Sequence, residues 1–191
     1  MAEDPRTAGS HRRAMASDEV YRSLVERARG IAAAEPEPSH RLAPLCDAMW
    51  DALHPLGVSW IGFYLAERAL APYSVRELVL AARRDKPACS PIGMHGACGQ
   101  SFREESVRLI EDVALLGDGY IACDPRDRSE LVLPIYRAGV VWGVLDADSH
   151  DIACFGDGDV AGLSAVLRAA GLLERLPPLR ANRLQDRAGT V

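Results

Sequence analysis

Residues 130–148 read ELVLPIYRAGVVWGVLDAD. Two runs rich in β-branched and aromatic residues flank Ala138-Gly139. Such runs with a Gly-bearing two-residue spacer predict a β-hairpin, strands over 130–137 and 140–148. Working outward, VSWIGFYLA over 58–66 has the same aromatic and β-branched character and predicts another strand. Residues 77–84 and 107–113 predict two more. Helical periodicity lies towards the ends. From Ser17, Val20, Tyr21, Leu24, Val25, Ala28 and Ile31 share one face. From Ser39, Leu42, Leu45, Cys46, Met49, Trp50 and Leu53 do the same, until Pro55 and Gly57. After Asp157, Val160, Leu163, Leu167 and Ala170 form a third stripe. Strands and helices do not alternate, so the expected class is α+β, with a central, mostly antiparallel sheet and the terminal helices packed on one face.

The length, 191 residues, suits one domain. A net charge of −5 argues against nucleic-acid binding that rests on phosphate contacts. No apolar run reaches the roughly 20 residues a membrane-spanning helix needs. Residues 1–16 are polar, carry arginines and lack the apolar segment of a signal peptide. They read as a disordered leader, with Met15 as an alternative start. Residues 177–191 read as a flexible tail, which leaves 17–176 as the folded domain. Five cysteines, an odd count without an export signal, do not suggest a disulfide framework. A reducing cytoplasm is the expected compartment.

The chemistry sits in the middle third. Cys123 lies in a polar loop beside Asp124, where access and thiolate character would decide its reactivity. Local sequence leaves a reactive thiol and a spare loop cysteine equally open. Cys89 follows Lys86-Pro87-Ala88, and Lys86 or Arg83-Arg84 could lower its pKa if the fold brings them near. Cys98 lies between glycines at a helix start that would offer free N–H groups to an anion. Cys46, on an apolar helix stripe, reads as core. Cys154 has no functional reading. A zinc site of the three middle thiols with His95 is the competing use, but no C-x-x-C spacing supports it. Asp146 and Asp148 are two apart on a strand and so share a face. Close carboxylates raise each other's pKa, so one could hold a proton at neutral pH. They could equally receive an ammonium group, or be solvated at a strand end. Glu130 can join them across the hairpin. Trp60 and Tyr64 also share a face and wall either a pocket or the core.

WIGFYL, ELVL, KPAC, CG, IACD, SE, LP and GVLDADS, in this order, resemble the free methionine-(R)-sulfoxide reductases, small enzymes built on one GAF domain. The resemblance covers roughly residues 17–175. It implies a GAF-like fold, with Cys123 as nucleophile, Cys89 as resolving cysteine and Cys98 as an auxiliary one. It further implies that Glu130 or Asp148 protonates the sulfoxide oxygen, Asp146 holds the substrate ammonium, and Trp60 and Tyr64 line the pocket. The implied reaction runs through a sulfenic acid and a disulfide, with thioredoxin or a similar dithiol as reductant. No bound cofactor or metal is implied, and NADPH enters only indirectly. GAF domains often dimerise, so a homodimer is compatible with the family. One segment departs from the pattern: between KPAC and the next cysteine stands a shortened SPIGMHGAC, with Met94 and His95 in place of the usual run. The alternatives are a GAF module that only binds a small ligand, and a thiol redox sensor or zinc-binding protein.

Overall fold

The computed structural model describes residues 5–66, 76–119 and 123–184. In chain order the elements are α1 (Pro5–Ala34), α2 (Pro38–Leu53), β1 (Val58–Ala66), β2 (Glu77–Arg84), β3 (Ile92–Gly93), α3 (Ala97–Glu104), β4 (Val107–Ile110), β5 (Ser129–Arg137), β6 (Val140–Ser149), α4 (Asp157–Ala169) and β7 (Leu179–Asn182). The described strands form one sheet in the order β3-β2-β1-β6-β5-β4-β7. Every neighbouring pair is antiparallel except β4 and β7. This is the expected α+β architecture. The hairpin turns at Ala138 and Gly139, both at positive φ (51° and 75°). That left-handed pair matches the right-handed twist of the strands it joins.

Side-chain alternation along the strands builds two apolar layers. Ile61, Phe63, Leu131, Leu133, Leu145 and Ala147 point to one face and pack under α1, α2 and α4. Leu24, Leu45, Met49, Leu163 and Leu167 of those helices are buried against them. Each such side chain contributes roughly 1.5–3 kcal/mol by leaving water. Trp60, Tyr64, Val132 and Val144 point to the other face, where, among the described residues, α3 and loops cover the sheet. The thinner cover on that face leaves room for a cavity.

The chain ends differ from the sequence expectation. The first helix begins at Pro5, ahead of Ser17, so residues 5–16 of the expected leader are helical, while 1–4 lie outside the described residues. A proline suits the first turn, where its missing N–H has no helical partner to lose. Part of the expected tail is strand β7, while 185–191 lie outside the described residues. Its pairing with β4 is made by the backbone, with Val107 N–H donating to Pro178 O at 2.9 Å and Glu111 N–H to Asn182 O at 3.0 Å. Leu179-Arg-Ala-Asn does alternate apolar and polar residues, with Ala181 against the core, but four residues are too short a run to stand out in the sequence.

Candidate active site

The cavity-facing side of β1, β5 and β6 carries the acids and aromatics. In register, Asp148 stands between Trp60 on β1 and Glu130 on β5, and Asp146 between Gly62 and Val132. Period-two geometry therefore gathers Glu130, Asp146 and Asp148 on one buried face, at 5%, 7% and 9% exposure. Gly62 is required here by close approach. A Cβ on it would lie 2.3 Å from the Trp60 indole and 2.9 Å from Ala82 O. The indole thus lies flat over the glycine, towards Tyr64, at a centroid separation of 6.0 Å.

The polar ends of both rings hold the segment that brings in Cys89. Trp60 Nε1–H donates to Lys86 O at 3.0 Å, and the Tyr64 hydroxyl donates to Cys89 O at 2.8 Å. Ser90 Oγ accepts from Leu80 N–H at 3.0 Å, which fastens the same loop to β2. The Cys89 and Cys123 thiols come into hydrogen-bonding contact, and both residues are exposed. Ile121 and Ala122, the first half of IACD, lie outside the described residues.

Aromatics, thiols and acids line one cavity of about 330 Å³, together with residues of the 88–98 segment. Gly96, Ala97 and Cys98 contribute the start of α3, whose first N–H groups have no helical acceptors. Gly99 lets that start press on the preceding loop, since a Cβ there would lie 2.3 Å from Met94 Cα. The departure in sequence is accommodated by burying Met94 beneath the loop and leaving His95 on the cavity wall.

Electrostatics divide the groups. Burial pushes the Asp146 carboxyl up to about 7, although a donated Cys98 thiol opposes this. Burial, then the charges of Asp146 and Glu130, push Asp148 well above the usual carboxylate range. Burial and like charges thus favour the protonated form of Asp148, the form able to donate a proton. Asp146 Oδ1 is buried and has no hydrogen-bond partner among the described residues. Although Cys123 is exposed as a residue, partial burial of its thiol against the cavity pushes it up to about 12, helped by the contact with Cys89. The nucleophile candidate therefore rests as a thiol. The expected cationic neighbours of Cys89 are engaged elsewhere: Lys86 with Asp124, Arg84 with Asp47, and Arg83 with Asp85 O.

Cys98 does not join the other two thiols. It is buried and points to the acids, and its Sγ and single oxygens of Glu130 and Asp146 lie within 4.8 Å of one another. Among the described residues these are the donors brought together in the cavity, rather than three thiols with His95. Cys46 is core, with its thiol pushed up to about 12 by burial. Cys154 is buried beside Leu56 O. Asp127, a cavity-lining residue 4% exposed, was not singled out from sequence, because a loop aspartate among charged neighbours has no periodic signal. Gly62 was also missed. A glycine inside a strand was the available sign of a close approach.

Residues 39–173 match the family model of the GAF domain. The chain is 35% identical over 151 residues to the free methionine-R-sulfoxide reductase of Escherichia coli, covering 78% of this chain and 85% of that protein. This chain belongs to the free methionine-R-sulfoxide reductase family of GAF-domain proteins. Another relative, GAF domain-containing protein A of Dictyostelium discoideum, is 32% identical over 152 residues, 79% of this chain and 90% of that protein. Among solved structures, the free methionine-R-sulfoxide reductase of Neisseria meningitidis in complex with its substrate superposes with a TM-score of 0.69 at 31% identity. It covers 78% of this chain and 85% of that one. Family members share the GAF fold, and none of the described helices here is long and apolar enough to cross a membrane.

Proposed function

We propose that this chain reduces free L-methionine-(R)-sulfoxide to methionine, with Cys123 as nucleophile and Cys89 as resolving thiol. The observation that carries the reading is the contact of the Cys123 and Cys89 thiols at a cavity floored by Glu130, Asp146 and Asp148. At about 330 Å³ the cavity is at the small end of ligand sites and suits a single amino acid. The unpartnered Asp146 Oδ1 receives the substrate ammonium, which also lowers the Asp146 pKa by opposite charge. The free N–H groups at the start of α3 suit the substrate carboxylate. The Trp60 face takes the sulfur-bound methyl, and Tyr64 closes the wall beside it.

Asp148, whose protonated form is favoured by burial among like charges, hydrogen-bonds the sulfoxide oxygen, with Glu130 beside it. Cys123 then attacks the sulfoxide sulfur. In balance, the oxygen passes to Cys123 with the thiol proton, giving Cys123–SOH and the thioether of methionine. The raised thiol pKa means that the proton leaves during the attack, drawn by the oxygen that Asp148 polarises. Cys89 condenses with the sulfenic acid, releasing water and leaving a Cys89–Cys123 disulfide. A protein dithiol of the thioredoxin kind restores both thiols by exchange, in a reducing cytoplasm.

The direct test is incubation with racemic free methionine sulfoxide and dithiothreitol, then chiral analysis. Loss of the R epimer at sulfur alone is expected, and equal loss of both epimers would overturn the reading.

A further inference from the structure

Lys86 stands three residues before Cys89, and Asp124 directly follows Cys123. Their side chains form an ion pair at the rim of the cavity, with only 28% and 14% of side-chain surface exposed. Asp124 is fixed from its own side. Its Oδ1 accepts the Arg126 backbone N–H at 3.0 Å, and its two oxygens accept Arg126 Nε–H and a terminal N–H at 3.1 and 2.8 Å. His150 Nε2 lies 3.4 Å from both Asp124 Oδ2 and Lys86 Nζ, and 3.7 Å from Asp127. Lys86 is fixed from the other side, since its carbonyl and that of Cys89 accept from Trp60 and Tyr64. The two thiol-bearing segments are therefore anchored separately, and the Lys86–Asp124 pair links them three residues before Cys89 and directly after Cys123.

We propose that the Lys86–Asp124 ion pair is a positioning clamp that holds Cys89 against Cys123 while the sulfenic acid is resolved. The inference rests on the proposed nucleophile and resolving roles. In the step concerned, the Cys89 sulfur bonds to Cys123 Sγ, the S–O bond breaks, and water leaves with the Cys89 proton. Cys89 is oxidised and the sulfenic sulfur is reduced. The rate of that step depends on the approach of two sulfurs carried on different loops, where a displacement of about 1 Å can cost about a hundredfold. The first chemical step does not depend on Cys89. A sulfenic acid left unresolved is open to further oxidation.

The test uses Lys86→Met, Asp124→Asn and the charge-keeping Lys86→Arg in the full chain. After one turnover on racemic free methionine sulfoxide without reductant, released methionine, dimedone-captured sulfenic acid and remaining thiols are followed in time. Both charge-removing variants should release the first methionine within about threefold of the parent rate, yet form the disulfide about tenfold to a hundredfold more slowly, with a rise in dimedone adduct. Lys86→Arg should restore disulfide formation. Parental rates of disulfide formation in both charge-removing variants would overturn the clamp, as would an equal slowing of methionine release, which would mark a general loss of structure. Thermal unfolding checks each variant, and one that folds suffices to decide. A parallel arm oxidises Cys123 with hydrogen peroxide, which forms the same sulfenic acid with release of water. If the parent releases no methionine, the reductase reading fails, and the peroxide arm still decides the clamp.

Discussion

Replacing Gly62 by alanine tests the packing on which the cavity wall depends. The added Cβ would sit 2.3 and 2.8 Å from two indole carbons of Trp60 and 2.9 Å from Ala82 O. Ordinary carbon contacts need roughly 3.5–4.0 Å, so the ring must retreat by more than about 1 Å. Ala82 O cannot give way easily, because its strand pairs with β1 at Phe63. Retreat of the indole stretches its 3.0 Å bond to Lys86 O. Overpacking of this kind costs about 1–3 kcal/mol, and the lost hydrogen bond about 0.5–1.5 kcal/mol more. The expected outcome is a loss of about 2–4 kcal/mol in urea unfolding. A fall of at least about tenfold in kcat/KM on free methionine sulfoxide should accompany it, because the displaced ring is the surface proposed to take the methyl group. Gly158→Ala is the control, since a Cβ there meets nothing within 4 Å. If Gly62→Ala matches the control in both assays, the account of the Trp60 wall is wrong.

Three further outcomes follow from the site. Cys123→Ser should abolish even single-turnover methionine formation, whereas Cys89→Ser should release about one methionine per chain and fail to cycle with thioredoxin. Normal cycling of Cys89→Ser would move the resolving role elsewhere. Because burial raises Asp146 from 3.8 to about 7, the folded state holds a proton that the unfolded chain has released. That contribution to stability is full below about pH 4 and is lost as pH rises through about 7, so substrate-free unfolding midpoints should fall across this window. The Asp146→Asn variant should flatten this trend, and an unchanged slope would remove Asp146 as its source. Finally, N-acetyl methionine sulfoxide should react about tenfold to a hundredfold more slowly than the free amino acid, since a charge-assisted hydrogen bond to Asp146 is lost. Similar kcat/KM values would mean that the cavity does not read the amine.

The parts of the site legible in the sequence are those set by strand periodicity. Asp146 and Asp148 had to share a face once 140–148 was a strand. Glu130 meets them only through a register shift at Ile135/Tyr136, since the two-residue turn alone would pair it with Ala147, on the other face. Trp60 and Tyr64 follow by the same rule, and the motif order tied these strands to a family. What stayed hidden depends on partners far apart in sequence. The Lys86–Asp124 pair joins two loops, and neither residue carries a periodic signal. Cys98 looked like a third member of a thiol group, but, buried in the first turn of α3, it meets Asp146 and Glu130 instead. The state of the Cys123 thiol was not legible for a related reason: its charged neighbours Asp124 and Arg126 are paired with each other, and the sulfur feels burial first.

Strand β7 has a consequence for the behaviour of the protein at high concentration. Without Leu179–Asn182, β4 would end the sheet with a row of open backbone donors and acceptors. Such a border is a template for strands of other molecules and a route to aggregation. The opposite border is the two-residue β3, too short to recruit a partner effectively. A stretch that carries no catalytic group therefore covers the β4 border, and, being four residues long and carrying charged Arg180, it is itself a poor template for a further strand.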